Sequence, residues 1–315
     1  MKNARSWLIA LLVLQLALAG GLLLSRQQAG DEGTPQPLLP VAASAIDRIV
    51  VSDAGSQATV VRQDGAWVLS GSHLPASASK VADILQRLEQ TATEWPVTTT
   101  RSSHKRFEVS EEAFQRRVQL FQGDRQVAEF YLGTSPGFRK VHLRRAAEDE
   151  VYAVTLNTFD LPAGEDAWLD HSLLAVTDPT RIVGPDYTLE ESADGVWSLA
   201  GDEAAAETGN TPLDDEQARQ LVSAFANLRV QSVADGVPDP ETGKGISVEV
   251  ETADGSYRYH FHQDEAGYYV RREDRATVFN LSQYDYDRIT GVGLAELVHQ
   301  TEETETAGAG TESES

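Results

Sequence analysis

The sequence predicts an α+β protein: an N-terminal transmembrane helix followed by two repeated units, each an antiparallel sheet with one packed helix. Three observations carry this reading. An apolar run of helical length stands at the start, Trp7 to Leu24. The body repeats a set of short motifs in the same order at an offset of about 130 residues. Within each repeat, alternating strand patterns flank one stripe of helical period.

The chain divides in order into a transmembrane anchor over 1–26, a linker over 27–45, repeat units over 46–170 and 171–300, and an acidic tail over 301–315. In the anchor, Lys2 and Arg5 precede the apolar run, whose strongly polar member is Gln15. Eighteen residues at helical rise span about 27 Å, enough to cross a bilayer core. Ala17-Leu18-Ala19 resembles a signal-peptidase site, which is the rival reading. Gly20 to Leu24 carries the apolar run past it, however, and this favours a retained anchor. The short basic N-terminal end then lies in the cytoplasm and the body outside it, the periplasm in a Gram-negative cell. The linker is rich in Gln, Gly and Pro, as in Thr34-Pro35-Gln36-Pro37. The tail holds five Glu and no basic residue, a composition that stays disordered.

In the first unit, Ile46 to Val51 and Thr59 to Arg62 alternate as strands, and a turn at Asp64-Gly65 leads to the Trp67 strand. Val81, Ile84, Leu85 and Leu88 then line one face of a helix. A three-residue loop, Gly123 to Arg125, sets Leu120 opposite Ala128 and Val118 opposite Phe130. In the second unit, Ala218, Leu221, Val222, Phe225 and Leu228 form the helical stripe, with Thr211 as N-cap, Pro212 at the first position and Asp214 in the first turn. A turn at Asp254-Gly255 pairs Val250 with Tyr259 and Val248 with Phe261, and on the wet side Glu251 with Arg258 and Glu249 with His260. Trp67 and Trp197 are expected between helix and sheet.

The repeat rests on three matches. Asp64-Gly65-Ala66-Trp67-Val68-Leu69 recurs as Asp194-Gly195-Val196-Trp197-Ser198-Leu199, and Val127 to Tyr131 aligns with Tyr257 to Phe261. Arg144-Arg145 with Val151-Tyr152-Ala153-Val154 recurs as Arg271-Arg272 with Val278-Phe279-Asn280-Leu281.

The 315 residues carry 49 acidic against 26 basic side chains, a formal charge of −23. Such a surface repels phosphate backbones and anionic lipid headgroups, so nucleic acid is not an expected partner. The absence of cysteine excludes a disulfide scaffold, zinc-finger sites and a thiol nucleophile.

Four constellations deserve a chemical test. Gly133-Thr134-Ser135-Pro136-Gly137 matches the nucleophile elbow, but the oxyanion hole needs the N–H of the residue after serine, and Pro136 has none. It reads as a turn before a strand from Phe138 to Leu143. His260 and His262 share one strand face, with Glu249 across the hairpin as a third ligand; an ordinary cross-strand pair is the favoured reading. Asp235, Asp239 and Glu241 lie in a proline-stiffened loop without calcium-loop spacing, and read as solvated. Glu111-Glu112, Glu148-Asp149-Glu150 and Asp214-Asp215-Glu216 read as turns or helix starts. No catalytic, cofactor-binding or metal-ligating residue is therefore assigned.

The motif set Asp64 to Leu69, Pro75, the Val81 to Leu88 stripe, Tyr131-Leu132-Gly133 and Val151 to Val154 resembles an uncharacterised bacterial membrane-anchored family, the domain of unknown function four-three-four-zero. The likeness covers about residues 46–299. The resemblance implies no catalytic residues, and it implies ABC transporter subunits of the gliding-motility type as frequent genomic neighbours. The functional expectation is a non-enzymatic single-pass inner-membrane protein. Its periplasmic body would be an accessory or scaffold subunit of an ABC-type membrane complex, with the membrane and other membrane or periplasmic subunits as partners. The alternative is a periplasmic glycan- or lipid-binding module, using exposed aromatics such as Tyr268, Tyr269 and Tyr284.

Overall fold

A computed structural model describes Gln15 and residues 35–200, 212–234, 236 and 245–298. The apolar run Trp7 to Leu24, Thr211, the loop carboxylates Asp235, Asp239 and Glu241, and the tail lie outside the described residues. Among the described residues, no helix is long and apolar enough to cross a membrane. The chain separates into two compact units, dividing between Asp170 and His171.

The first unit begins with a strap. Strand β1 (Gln36–Pro37) pairs with β5 (Ala92–Thr93), and Leu38 and Leu39 are buried. The Leu38 N–H donates to the Thr91 carbonyl at 2.8 Å. From Gln36 onward the stretch expected as a free linker is thus part of the body, because two leucines and a strand pair hold it there.

Three strands then form a meander: β2 (Arg48–Ser52), β3 (Gln57–Gln63) and β4 (Ala66–Leu69). Asp64 and Gly65, with φ of 49° and 87°, make the tight turn between β3 and β4, as expected for Asp-Gly. Helix α1 (Ala78–Gln90) follows, capped by the Ser77 hydroxyl accepting from the Lys80 N–H. Its buried residues are the expected stripe: Val81, Ile84, Leu85 and Leu88. Burying these four side chains contributes about 8 kcal/mol of transfer free energy as an upper bound. After the edge strand β6 (Pro96–Thr98) come β7 (Arg116–Gln122), β8 (Arg125–Leu132), β9 (Val141–Arg145) and β10 (Val151–Val154). The eight-stranded antiparallel sheet has the order β4-β3-β2-β7-β8-β9-β10-β6.

The second unit repeats this topology. Its strands β11 (Pro179–Val183), β12 (Thr188–Glu191), β13 (Trp197–Leu199), β14 (Val230–Val233), β15 (Ile246–Thr252), β16 (Gly255–Gln263), β17 (Tyr268–Arg272) and β18 (Phe279–Leu281) take the order β13-β12-β11-β15-β16-β17-β18-β14. Helix α2 (Asp215–Ala226) corresponds to α1. Its N-cap is Asp214, whose carboxylate accepts from the Glu216 and Gln217 N–H groups at 2.9 and 3.1 Å. The expected start at Pro212 is too early: the Asp214 N–H is tied to the Leu297 carbonyl, which keeps that residue extended.

Each unit closes on itself in the same way. An isolated bridge joins Ala76 to Leu169 in the first, and Leu213 to Val298 in the second. The closing segment of the first unit carries the fully buried Trp168, whose indole N–H donates to the Pro162 carbonyl at 2.8 Å. That of the second forms α3 (Gln283–Thr290) and α4 (Leu294–Leu297), so this unit has more helix than the single one expected. Trp67 and Trp197 are only half-buried, because both sit on the edge strands of their sheets.

The two central hairpins refine the expected registers. In the first unit Leu120 faces Ala128 and Val118 faces Phe130, as expected. The three-residue loop resolves into a two-residue turn, Gly123-Asp124, plus a bulge that leaves Val127 without a partner. In the second unit the turn is Ala253-Asp254, so Val248 faces Tyr259 and Val250 faces Tyr257. Thr252 closes this turn: its hydroxyl accepts from the Asp254 N–H and donates to the Gly255 carbonyl. The shift from the expected register is two residues, which preserves the faces because side chains alternate with period two. Glu249 therefore meets Arg258, at 2.7 Å, and not His260.

Candidate functional site

The doubled arginines prove to be structural clamps. Successive strand residues point to opposite faces, so Arg144 and Arg145 act on opposite sides of the sheet. Arg144 is buried; its Nε donates to the Val109 carbonyl at 2.7 Å and its Nη1 to the carbonyls of Ala146 and Glu148 at 3.1 Å. Its guanidinium lies 4.7 Å from the Tyr131 ring centroid. Tyr131, Val109 and Val151 form a small core on this face, roofed by Phe107 and Phe114. Arg145 reaches the other way. It donates to Thr93 Oγ1 and to the Pro37 carbonyl, both at 3.0 Å, and so binds the strap to the sheet.

Arg272 plays the second clamp's part in the other unit. It holds Asp274 through two bonds of 2.6 and 2.9 Å, and it stacks on the Tyr257 ring at 4.6 Å. This pairing lowers the Asp274 carboxyl below its usual range, with the Arg272 hydrogen bond as the largest cause. The Tyr259 hydroxyl donates to the Leu174 carbonyl at 2.7 Å, and burial pushes its pKa up to about 12.

Between the strap and the sheet of the first unit lies a groove of about 750 Å3. Its walls are Gln36 to Leu38 and Pro40 on one side, and Arg145 to Glu148 on the other. Its floor is Gln126 to Phe130 of β8. The ladder from β9 reaches β8 only at Phe130 to Leu132, and the Ala146 N–H to Glu129 carbonyl bond of 2.9 Å is its last link. Among the described residues no strand covers Gln126 to Ala128 on that side. Strand pairing makes Phe130 equivalent to Tyr259, since each faces the second arginine of its pair, and so places Ala128 where the other unit has Tyr257. A methyl group therefore stands where the second unit has a phenol ring under a guanidinium, which is why the first unit is hollow here. The bulge at Val127 is the reason the repeat offset changes by one within this strand, which the sequence alignment of Val127 to Tyr131 with Tyr257 to Phe261 did not show.

A second, polar hollow of about 650 Å3 lies nearby, where Glu111, Glu112 and the Glu148 to Glu150 turn face Arg101, His104 and Lys105. The His104 ring nitrogen Nε2 sits 2.7 Å from the Asp149 carbonyl. Among the described residues no group of three His, Asp or Glu side chains is arranged to hold a metal ion.

The remaining sequence candidates fall apart spatially. Ser135 Oγ donates to the Gly137 and Lys140 carbonyls at 2.7 Å, so it closes its own turn, and the following strand starts at Val141 rather than Phe138. His260 faces Ser247 Oγ at 2.9 Å and Glu273 at 3.3 Å, while His262 stacks on Tyr269. Glu249 instead accepts from Ser256 and Arg258, and does not join the histidines. The three tyrosines do not line one groove. Tyr269 is buried, Tyr268 packs 4.9 Å from Tyr286, and Tyr284 is exposed on α3. Alternation along β17 sends the first two to opposite faces. What the sequence reading missed is the groove itself. Its visible trace was the exchange of Ala128 for Tyr257 beside a conserved-in-repeat Arg-Arg pair.

No curated protein matches the chain, and no solved structure does. Over residues 67–244, a span that runs from β4 of the first unit past β14 of the second, the sequence matches the family described as domain of unknown function (DUF4340). With more than half its length matched, the chain belongs to this DUF4340 family.

Proposed function

We propose that the chain is a non-enzymatic, single-pass inner-membrane protein whose periplasmic body is an accessory or scaffold subunit of a membrane complex. The observation that carries this reading is the groove over β8 of the first unit. It offers a strand edge between two walls, with Arg145 tied to the strap and paired with Glu148, and Glu129 beside them. Such an edge accepts an extended segment of a partner, with main-chain hydrogen bonds supplying affinity and the apolar floor at Val127 and Ala128 supplying fit. The family resemblance supports an ABC-type permease and its ATPase as that partner, and the apolar run Trp7 to Leu24 supports the anchored topology.

The test is an affinity pull-down of the full-length protein from mildly solubilised native membranes, read by mass spectrometry. A permease and an ATPase recovered in reproducible ratio is the expected result. Ala128→Tyr, which fills the groove as Tyr257 does in the second unit, should lower that recovery at least tenfold, an effect of about 1.4 kcal/mol, without changing the thermal midpoint. Recovery of the protein alone would sink the subunit reading and favour a periplasmic glycan- or lipid-binding module.

A further inference from the structure

The connection between β8 and β9 runs against the character of the rest of the molecule. The chain carries 49 acidic and 26 basic side chains, yet this connection is locally basic. Arg106, Arg139 and Lys140 are exposed, and among the described residues none of them forms an ion pair. Arg139 and Lys140 follow Phe138, which is 88% exposed, on the same turn.

Local structure holds these groups together. Gly133 lets the strand run against the 101–108 segment: a Cβ there would meet the Phe107 and Glu108 carbonyl oxygens. The Thr134 N–H donates to the Phe107 carbonyl at 2.9 Å, and the Phe107 ring lies 4.3 Å from that of His142. Arg106 stacks on Phe107 at 4.5 Å, which brings it to the base of the tip. At the tip, Ser135 ties the turn closed. Arg139 adopts φ of 55°, and its guanidinium lies 5.0 Å from the Phe138 ring centroid. A left-handed arginine costs about 1 kcal/mol that a glycine would not. The nearest acidic neighbour in sequence on the 101–108 segment, Glu108, accepts instead from Gln115 Nε2 at 2.8 Å. The corresponding turn of the second unit, Asp264 to Gly267, is acidic, and Asp264 accepts from the Ala266 and Gly267 N–H groups. The duplication therefore does not impose a basic aromatic tip; it belongs to the first unit alone.

A side chain this exposed has no walls, so the tip cannot enclose a small soluble ligand. An aromatic ring standing proud between cations matches a planar surface that is apolar beneath an anionic layer. Carboxylates of the acidic body that lie farther than a Debye length, about 8 Å, from such a surface are largely screened from it. We propose that the β8–β9 tip docks onto a bilayer carrying anionic headgroups: Phe138 enters the interfacial layer, and Arg106, Arg139 and Lys140 lie against lipid phosphates. This goes beyond the subunit reading and does not depend on which partner occupies the groove.

The absence of cysteine makes the test direct. The full-length protein with Phe138→Cys carries one environment-sensitive fluorophore, and a Glu265→Cys protein serves as the control on the second unit. Each is reconstituted with phosphatidylcholine alone, and with phosphatidylcholine partly replaced by phosphatidylglycerol. Flotation reads retention by the N-terminal segment separately from the fluorescence. A protein that fails to float is mixed with preformed vesicles, so a failed anchor reading leaves the tip still measurable. The expected result is a blue shift and quenching by labelled lipid at position 138 with phosphatidylglycerol, and none at position 265. Removing a cation, as in Arg139→Gln or Lys140→Gln, should weaken the lipid response about fivefold each, and the pair about thirtyfold. A probe at 138 that stays in water with anionic lipid overturns the proposal, whether or not the protein floats. So does a response equal in both lipids and unchanged by the two substitutions. A shift that grows with protein concentration without lipid would assign the tip to a second copy. A shift on an oligonucleotide alone would assign it to nucleic acid.

Discussion

Replacing Arg145 with Met keeps the apolar stem and removes the guanidinium that ties the strap to the sheet. Two bonds of 3.0 Å are lost, to Thr93 Oγ1 and the Pro37 carbonyl. With a charged donor and acceptors that can turn to water, each contributes about 1 kcal/mol. The ion pair to Glu148, at 3.4 Å and partly exposed, adds at most about 0.5 kcal/mol. Opening of the strap should therefore become easier by about 2–3 kcal/mol, or roughly 30- to 150-fold. Amide hydrogen exchange reads this directly, because the Leu38 N–H is bonded to the Thr91 carbonyl at 2.8 Å and reports strap opening. Leu38 should exchange faster by that factor, while the amides of β7, in the centre of the sheet, keep their protection. An unchanged rate at Leu38 would refute the clamp. An equal acceleration across the sheet would show that Arg145 supports the whole unit and not the strap.

Two further perturbations test the packing around the tip. Gly133→Ala should destabilise the first unit by about 2–3 kcal/mol, because the added methyl group meets two backbone oxygens that have no flexible side chain to yield; a denaturation midpoint within error of the parent would contradict this close approach. His142 is buried against Phe107, and burial, with the Arg106 charge adding, holds its pKa below the ordinary 6.5, partly opposed by the hydrogen bond its ring makes to the Thr134 backbone. The unfolded state then binds more protons in the window just below 6.5, so this group's contribution is full above that value and is lost as the pH falls through the folded pKa. Urea midpoints should fall between about pH 7.5 and 5.5, and His142→Asn should flatten that slope; a parent slope no steeper than the variant's would sink the assignment.

The helix stripe from Val81 to Leu88, the Asp64-Gly65 turn, the faces of both central hairpins and the duplication were all legible in the residues. Each is written in local terms: a period of 3.6 or 2, a turn that needs φ above zero, or a motif repeated in order. Registers were less legible. The Thr252 hydroxyl moved one turn by one residue and its pairing by two, and the bulge at Val127 moved the other, since both depend on hydrogen bonds that two residue patterns satisfy equally well. The strap from Gln36 reads as a linker because its composition is that of one; its order comes from two buried leucines and an arginine more than a hundred residues away.

The groove and the tip lie furthest from the sequence. Ala128 is an ordinary strand residue until pairing shows that its counterpart is Tyr257, and Phe138 looks like the start of a strand until Ser135 closes the turn before it. Alternation, turn chemistry and duplication are properties of neighbours along the chain, and the sequence alone determines them. A hollow, an unpaired strand edge or an unneutralised cation is a statement about what is missing from the space around a residue. Only the tertiary structure, which brings distant segments to that space or leaves it open, can decide it.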